Sequence, residues 1–250
     1  MCNYSRMNTT RKILLAITAA VAVLGTITPA TATIPHSAIT AAAKPRKAAS
    51  NCSGTLGDWT VLQHANFGDL TDVDGDPQAD VVIVGDSITT RGYDQLATWL
   101  AARGKTLAGS YWSGRPTTPA VDWALSLTTK PKILVMASGT NDIFNPAVMA
   151  AQAARLKAWA DAAPVTRLIW VDTFAQRPAT DTCDLRNSGW VNNLIRKNIG
   201  DSQVCDWWYG FAQDPNRITN YLSDGIHPMD AAGGGAGTNY WAAVVGGCVY

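Results

Sequence analysis

Ser87, Asp224 and His227 are the residue types of a nucleophilic catalytic site, in which a histidine takes the serine proton and an aspartate orients the histidine. Ser87 directly follows the apolar run at residues 81–84 and the dipeptide Gly85-Asp86. Asp224 lies three residues before His227, so its carboxylate can reach the imidazole within one compact turn. The trio predicts acyl transfer through Ser87, although a serine at this position can also serve only as a helix cap.

The composition restricts which groups can act as the base. The sequence contains three histidines, His36, His64 and His227, and all 19 of its acidic residues are aspartates. The lack of glutamate excludes mechanisms built on that residue, including those of H-E-x-x-H metallopeptidases. Because His36 lies in an irregular segment, a histidine base must be His64 or His227.

Acyl transfer also needs hydrogen-bond donors for the negatively charged oxygen of the intermediate. The candidate donors are the backbone N–H groups of Ser87 and Gly114 and the side-chain amide of Asn141. Gly109 is an alternative to Gly114, since a single glycine is a weak signal.

A parallel sheet would bring these residues together. Continuous apolar runs at residues 81–84 and 132–138 predict strands that are buried on both faces, and Ser87 and Asn141 follow their ends. Strands that alternate with helices indicate an α/β fold with helices on both faces of the sheet, where ligands bind at the carboxyl edge. Further strands are predicted at residues 105–111, 168–171 and 204–208, and helices at 93–103, 120–127, 145–163 and 188–199, the last burying Trp190, Val191, Leu194 and Ile195.

The first fifty residues differ in composition from the rest. Arg11-Lys12 precede an apolar run at residues 13–25, and small residues up to Ala32 form an A-x-A cleavage pattern. The run is too short to span a bilayer comfortably. We therefore predict a signal peptide at residues 1–32, a flexible Ala-, Thr-, Lys- and Pro-rich linker at 33–50, and one folded domain at 51–250.

The charge of the domain argues against nucleic-acid binding. Six of the 20 basic residues and none of the 19 acidic residues lie in the first fifty positions, which leaves 14 basic against 19 acidic residues and a formal charge of −5. A mildly acidic domain without a basic stripe lacks the electrostatic footprint of a nucleic-acid-binding protein.

Four cysteines remain after the signal peptide, and an even number in an exported domain indicates two disulfides with three possible pairings. We favour Cys52–Cys248, which would join the ends of the domain, and Cys183–Cys205, which would close a local loop. Free buried thiols are the alternative. A zinc site is less favoured because no close Cys-Cys or Cys-His pair begins one.

An acidic loop at residues 72–80 has the pattern D-x-D-G-D-x-x-x-D and resembles the calcium loops of integrin-type propeller repeats. Such loops occur in repeats, whereas this one is single and leads straight into a strand. A plain acidic turn is therefore favoured over a calcium site.

Four short segments together resemble the conserved blocks of the SGNH (GDSL-like) hydrolase family. They are Gly85-Asp86-Ser87-Ile88, Gly114, Gly139-Thr140-Asn141-Asp142 and Asp224-Gly225-Ile226-His227. The resemblance runs from about Asp80 to the C-terminus and implies a flavodoxin-like three-layer α/β/α sandwich that needs no metal or organic cofactor. It implies the nucleophile Ser87, the base His227 and the orienting group Asp224, with oxyanion donors at Ser87, Gly114 and Asn141. Asp142 is expected to be structural.

The substrate is less well specified by the sequence. Most of the ten tryptophans fall on predicted helix or strand faces, where core packing is the default. Trp112, beside Gly114, is predicted to line the site. Gly114-Arg115 is similar to a Gly-Arg pair in some exported SGNH domains that act on cell-wall glycans, so Arg115 is a second candidate for substrate binding.

We therefore predict a secreted or cell-wall-associated serine esterase that removes small acyl groups such as acetyl from a small ester or an acylated carbohydrate. No nucleic-acid partner and no stable membrane insertion are expected, and a monomer is predicted. An O-acyltransferase acting on glycans and a non-catalytic glycan-binding module are the alternatives.

Overall fold

The computed structural model describes Cys52 and residues 65–67, 79–162, 167–178 and 181–250. The predicted signal peptide, the linker, His36, His64 and most of the acidic loop lie outside these residues. Asp80, which ends the acidic loop, accepts a hydrogen bond from the Thr106 N–H (3.2 Å) and pairs with Lys132 (3.4 Å).

One sheet of six strands forms the centre of the described residues, in the order β1-β3-β2-β4-β5-β6. The edge strand β1 runs antiparallel to β3, and the other neighbours are parallel. From β3 to β6 the order is that of a flavodoxin-like sheet. The strands are β1 (Ala65–Phe67), β2 (Val81–Gly85), β3 (Leu107–Tyr111), β4 (Ile133–Ala137), β5 (Arg167–Val171) and β6 (Val204–Cys205).

Helices cover both faces of this sheet, so the predicted three-layer α/β/α sandwich is confirmed. They are α1 (Ser87–Ala101), α2 (Thr117–Leu125), α3 (Pro146–Asp161), α4 (Asp181–Ile199), α5 (Trp207–Gln213), α6 (Asn216–Tyr221) and α7 (Ala236–Val249). Within the described ranges, no helix combines the length and the apolar character needed to cross a membrane.

The central strand β2 is apolar throughout because it is buried on both sides. Val81 and Ile83 belong to a core cluster with residues of α1 and α7, whereas Val82 and Val84 belong to a second cluster with residues of α2, α3 and α4. Successive side chains of a strand point to opposite faces, so each face of β2 supplies one of the two cores.

Two tryptophans fix α1 against α7. Trp241 of α7 packs on Gly92 of α1, where a Cβ atom would lie 2.3 Å from the indole ring. Trp99 of α1 packs on Gly246 of α7 in the reciprocal arrangement, again with 2.3 Å to a Cβ. The close approach of the two helices therefore needs glycine at both positions.

Several element boundaries differ from the sequence prediction. Helix α1 begins at Ser87 rather than near residue 93, because the Asp86 carboxylate caps it by accepting the Ile88 N–H at 3.0 Å. Strand β6 ends at Cys205 because α5 starts at Trp207. Trp190 is 54% exposed, so its predicted burial is wrong. The buried stripe of α4 follows Val191, Ile195 and Ile199 at helical spacing, and Trp190 lies outside it.

The structure contains two disulfides, but the predicted pairing is wrong. Cys52 bonds to Cys183 and Cys205 bonds to Cys248, with Cα–Cα distances of 5.3 and 5.7 Å. Cys183 lies in the first turn of α4, which then carries the chain about 24 Å away before β6 begins. Cys205 instead meets Cys248 because α7 packs against β6.

Peptide mapping under non-reducing conditions should therefore recover Cys52–Cys183 and Cys205–Cys248 peptides. The double variant Cys205→Ala/Cys248→Ala should lower the free energy of unfolding by about 4 kcal/mol in urea titrations, because the bond joins residues 43 apart. Recovery of a Cys52–Cys248 peptide would contradict the pairing.

Candidate active site

Ser87 lies where the central strand gives way to the first helix. One residue, Asp86, separates the end of β2 from Ser87, the first residue of α1. Because Asp86 caps the helix, the Ser87 hydroxyl is not used as the cap. Its Oγ lies 2.8 Å from Nε2 of His227, a residue 140 positions later in the chain.

His227 is held by Asp224 in the loop between α6 and α7. The Asp224 Oδ2 atom lies 2.7 Å from His227 Nδ1, and its Oδ1 atom accepts the backbone N–H groups of Ile226 (3.0 Å) and His227 (2.8 Å). With the proton on Nδ1 donated to the carboxylate, Nε2 is free to accept the Ser87 proton. The carboxylate thus shapes the loop and orients the imidazole.

The same hydrogen bonds keep Asp224 ionised. Burial alone raises the pKa of this carboxyl, but the hydrogen bonds from the His227 backbone N–H and imidazole, together with the charge of His227, outweigh it. The pKa of Asp224 therefore lies below its ordinary value. An ionised carboxylate is what stabilises an imidazolium that forms on the histidine.

Gly225 docks this loop against the segment that follows β5. Its φ of +81° favours glycine, and a Cβ atom would lie 2.1 Å from the Gln176 carbonyl oxygen. The Gln176 N–H donates to the Gly225 carbonyl at 2.9 Å. A side chain at this position would push the Asp224–His227 loop out of place.

Asn141 lies in the short 3₁₀ turn that follows β4, at the same edge of the sheet as Ser87. Its Nδ2 donates to the Arg115 carbonyl at 3.1 Å and lies 3.5 Å from Asp86 Oδ2. The contact with Asp86 is the longer and weaker of the two. The N–H that faces Asp86 is therefore the one that can most readily donate to a ligand oxygen beside Ser87.

Gly114 occupies the loop after β3, whereas Gly109 does not. The Arg115 N–H donates to the Trp112 carbonyl at 3.3 Å, and Gly114 inside this turn has a φ of +77°. Gly109 pairs with Ile83 in the middle of β3. Gly114 therefore lies in the loop at the carboxyl end of β3, whereas Gly109 lies within the strand.

The predicted contact of Arg115 with substrate is wrong because its side chain is fully buried. The guanidinium donates to the Ser110 carbonyl (2.7 Å) and the Pro119 carbonyl (3.0 Å), and it stacks on the Trp112 ring at 3.9 Å. Burial lowers the pKa of Arg115 to about 10. Trp112 is also buried, which does not support its predicted contact with substrate. Both side chains hold the Gly114 loop.

Two buried carboxylates support the site from below. Asp142 Oδ2 accepts the Thr117 N–H at the start of α2 at 2.7 Å, which agrees with its expected structural role. Burial raises the pKa of Asp86 to about 7, and the charge of Asp142 adds to the increase. The capping role of Asp86 was not predicted, although an aspartate directly before a helical segment is a signal for a cap.

Residues 83–232 match the sequence model described as the GDSL-like Lipase/Acylhydrolase family. No curated protein sequence matches the chain.

Solved structures with similar folds have low sequence identity. A GDSL-like lipase from Bacteroides thetaiotaomicron VPI-5482 aligns with a TM-score of 0.54 and 18% identity over 68% of this chain and 86% of that one. An acetyl xylan esterase from Geobacillus stearothermophilus aligns with a TM-score of 0.55 and 14% identity over 68% and 94% of the two chains. A lipase/acylhydrolase from Enterococcus faecalis gives 0.53 and 16% over 66% and 92%. At these identities the likeness shows a shared fold.

Asp86 should make the stability of the protein depend on pH. Between about pH 4 and about pH 7, the folded protein keeps a proton on Asp86 that the unfolded chain has lost, so stability falls as the pH rises through this window. The Asp86→Asn variant has no carboxyl to ionise here, so this decrease in stability is absent from it. The unfolding free energy of the variant minus that of wild type should therefore be up to about 3 kcal/mol larger at pH 8 than at pH 5 in urea titrations.

The matched control is Asp94→Asn, which changes an exposed aspartate of the same helix. If the unfolding free energies of wild type and Asp86→Asn differ by the same amount at pH 5 and pH 8, the raised pKa of Asp86 is contradicted.

Proposed function

Because the chain belongs to the GDSL-like lipase/acylhydrolase family, we propose that it is a secreted serine esterase that hydrolyses carboxylic esters with small acyl groups such as acetyl, carried by a small molecule or a carbohydrate. The observation that carries the proposal is the hydrogen-bonded series from Ser87 Oγ through His227 to Asp224, with distances of 2.8 and 2.7 Å. Such a series is the arrangement that activates a serine hydroxyl.

In the first step, Ser87 Oγ attacks the ester carbonyl carbon while its proton moves to His227 Nε2. The carbonyl π electrons move onto the oxygen, which becomes the oxyanion of a tetrahedral intermediate. Asp224 keeps its charge and stabilises the imidazolium through Nδ1. His227 then gives the proton to the departing alkoxide, which leaves as the alcohol and produces an acyl-serine.

Three donors surround the position of the oxyanion in this proposal. The Ser87 N–H is at the first turn of α1, where backbone N–H groups have no partner within the helix and the helix dipole favours negative charge. The Gly114 N–H and the Asn141 amide complete the set. As negative charge develops, the Asn141 N–H exchanges its long contact with Asp86 for the oxyanion.

In the second step, water replaces the alcohol. His227 takes a proton from the water as it attacks the acyl-serine, and it returns that proton to Ser87 Oγ when the acid is released. The ester and one water molecule supply every atom of the two products, the alcohol and the carboxylic acid.

Short connections at the carboxyl edge of the sheet support the preference for small acyl groups. Only Asp86 joins β2 to α1, and residues 112–116 join β3 to α2. Neither connection can form the long apolar lid of an interfacial lipase. The two disulfides support export, because such bonds persist in oxidising compartments.

Hydrolysis of p-nitrophenyl acetate, butyrate and octanoate tests the proposal. The residue 51–250 domain should cleave acetate fastest, and Ser87→Ala should lose at least about 10³-fold in kcat because the nucleophile is absent. Ser126→Ala, which changes an exposed serine at the end of α2, should keep full activity.

A wild-type rate equal to that of Ser87→Ala on every ester would overturn the esterase proposal. Acyl transfer to sugars would then be measured with the same esters as donors. If neither reaction occurs, glycan binding without chemistry becomes the better interpretation.

Asn141→Ala tests the proposed oxyanion donor. Its kcat should fall by about 10²–10³-fold with little change in KM, since the donor acts on charge that develops only in the transition state. Asn145→Ala is the matched control. Asn145 lies four residues after Asn141, and its side chain is exposed and makes no capping hydrogen bond. An equal effect of the two substitutions would contradict the role of Asn141.

A further inference from the structure

Arg91 belongs to the helix that begins with Ser87 and lies four residues after it. Positions four apart share one face of a helix and are separated by about 6 Å along its axis. Arg91 therefore lies one turn below Ser87, on the side where His227 approaches.

The guanidinium of Arg91 contacts both ends of the loop that carries Asp224 and His227. Its Nη1 donates to Ser223 Oγ at 3.1 Å, directly before Asp224, and to the Pro228 carbonyl at 3.4 Å, directly after His227. One nitrogen of Arg91 thus bridges the two ends of the segment that holds the base and its orienting carboxylate.

The loop itself is closed at the same place. The Ser223 N–H donates to the His227 carbonyl at 2.9 Å, and Ser223 Oγ lies 3.3 Å from the same carbonyl. A β-bridge joins Leu222 to Pro228. Because these bonds join the two ends of the loop, the contacts of Arg91 with Ser223 and Pro228 restrain the loop as one unit, including the imidazole.

We propose that Arg91 is a positioning residue, which sets the distance between Ser87 Oγ and His227 Nε2 by tying the helix of the nucleophile to the loop of the base. The inference rests on the proposed esterase function. On the opposite side, the Gln176 N–H bond to Gly225 holds the loop, so Arg91 supplies the restraint on the side of α1. Arg91 acts through the loop and does not touch the reacting atoms.

The test compares Arg91→Ala with Arg103→Ala on p-nitrophenyl acetate. Arg103 follows the same helix, donates to the Trp99 carbonyl at 3.0 Å and stacks on the Trp99 ring, about 24 Å from Ser87 along the axis. Arg91→Ala should lose about tenfold in kcat with KM within about twofold, because the geometry of proton transfer is disturbed while the binding surface is kept. Arg103→Ala should keep its kcat.

Two further measurements separate positioning from stability. Ethylguanidinium should restore part of the activity of Arg91→Ala and should leave wild type and Arg103→Ala unchanged, since the half-buried Arg91 site is open to a small solute. Arg91→Lys should lie between wild type and Arg91→Ala, because the shorter lysine side chain keeps a positive charge but does not place its nitrogen where Nη1 makes both contacts.

A readout that does not need activity is the downfield proton resonance of the His227 Nδ1–H, assigned by its loss in His227→Ala. It should broaden by faster exchange in Arg91→Ala and stay sharp in Arg103→Ala. If wild type were no more active than Ser87→Ala, the esterase function would fail, and this resonance would still decide the role of Arg91.

The proposal is overturned if Arg91→Ala and Arg103→Ala have equal kcat and equal resonances. It is also overturned if Arg91→Ala changes KM alone and leaves kcat unchanged. A kcat that falls in parallel with the thermal unfolding midpoint, and that ethylguanidinium does not restore, would overturn it as well.

Discussion

The hydrogen bond from the Ile88 N–H to the Asp86 carboxylate is the interaction on which the site depends. It allows the central strand to become a helix across a single residue, so that Ser87 starts α1 at the edge of the sheet. The other oxygen of the same carboxylate faces the Asn141 amide. Asp86 therefore relates the nucleophile to the turn after β4, and it does so from a fully buried position where an ionised carboxylate is costly.

Much of this arrangement could be predicted from the sequence because it depends on local patterns. The strands β2 and β4 are continuous apolar runs, and such runs are typical of strands buried on both faces. Asp224 and His227 are three residues apart, so their contact needs only a compact turn. Polar residues that follow parallel strands meet at one edge, which explains why Ser87 and Asn141 were expected together.

The errors concern features that depend on packing between distant segments. The pairing of Cys205 with Cys248 follows from the way α7 lies along β6, which no local pattern specifies. Arg115 was expected to face a substrate because Gly114-Arg115 is similar to a Gly-Arg pair in some exported SGNH domains. Its guanidinium instead contacts backbone carbonyls and the Trp112 ring inside the protein. Trp190 is exposed because it lies beside the buried stripe of α4, which follows Val191, Ile195 and Ile199. Which side of that stripe meets the sheet is set by tertiary packing, and the apolar character of Trp190 alone does not indicate it.

The reciprocal packing of Trp241 on Gly92 and of Trp99 on Gly246 links the variation allowed at four positions. A larger side chain at either glycine would fit only if the facing tryptophan became smaller, so each pair has to change together during evolution. Drift in the sequence of α7 is thereby coupled to drift in α1, the helix that presents Ser87. Substitutions in relatives of this protein should consequently be correlated between these two helices.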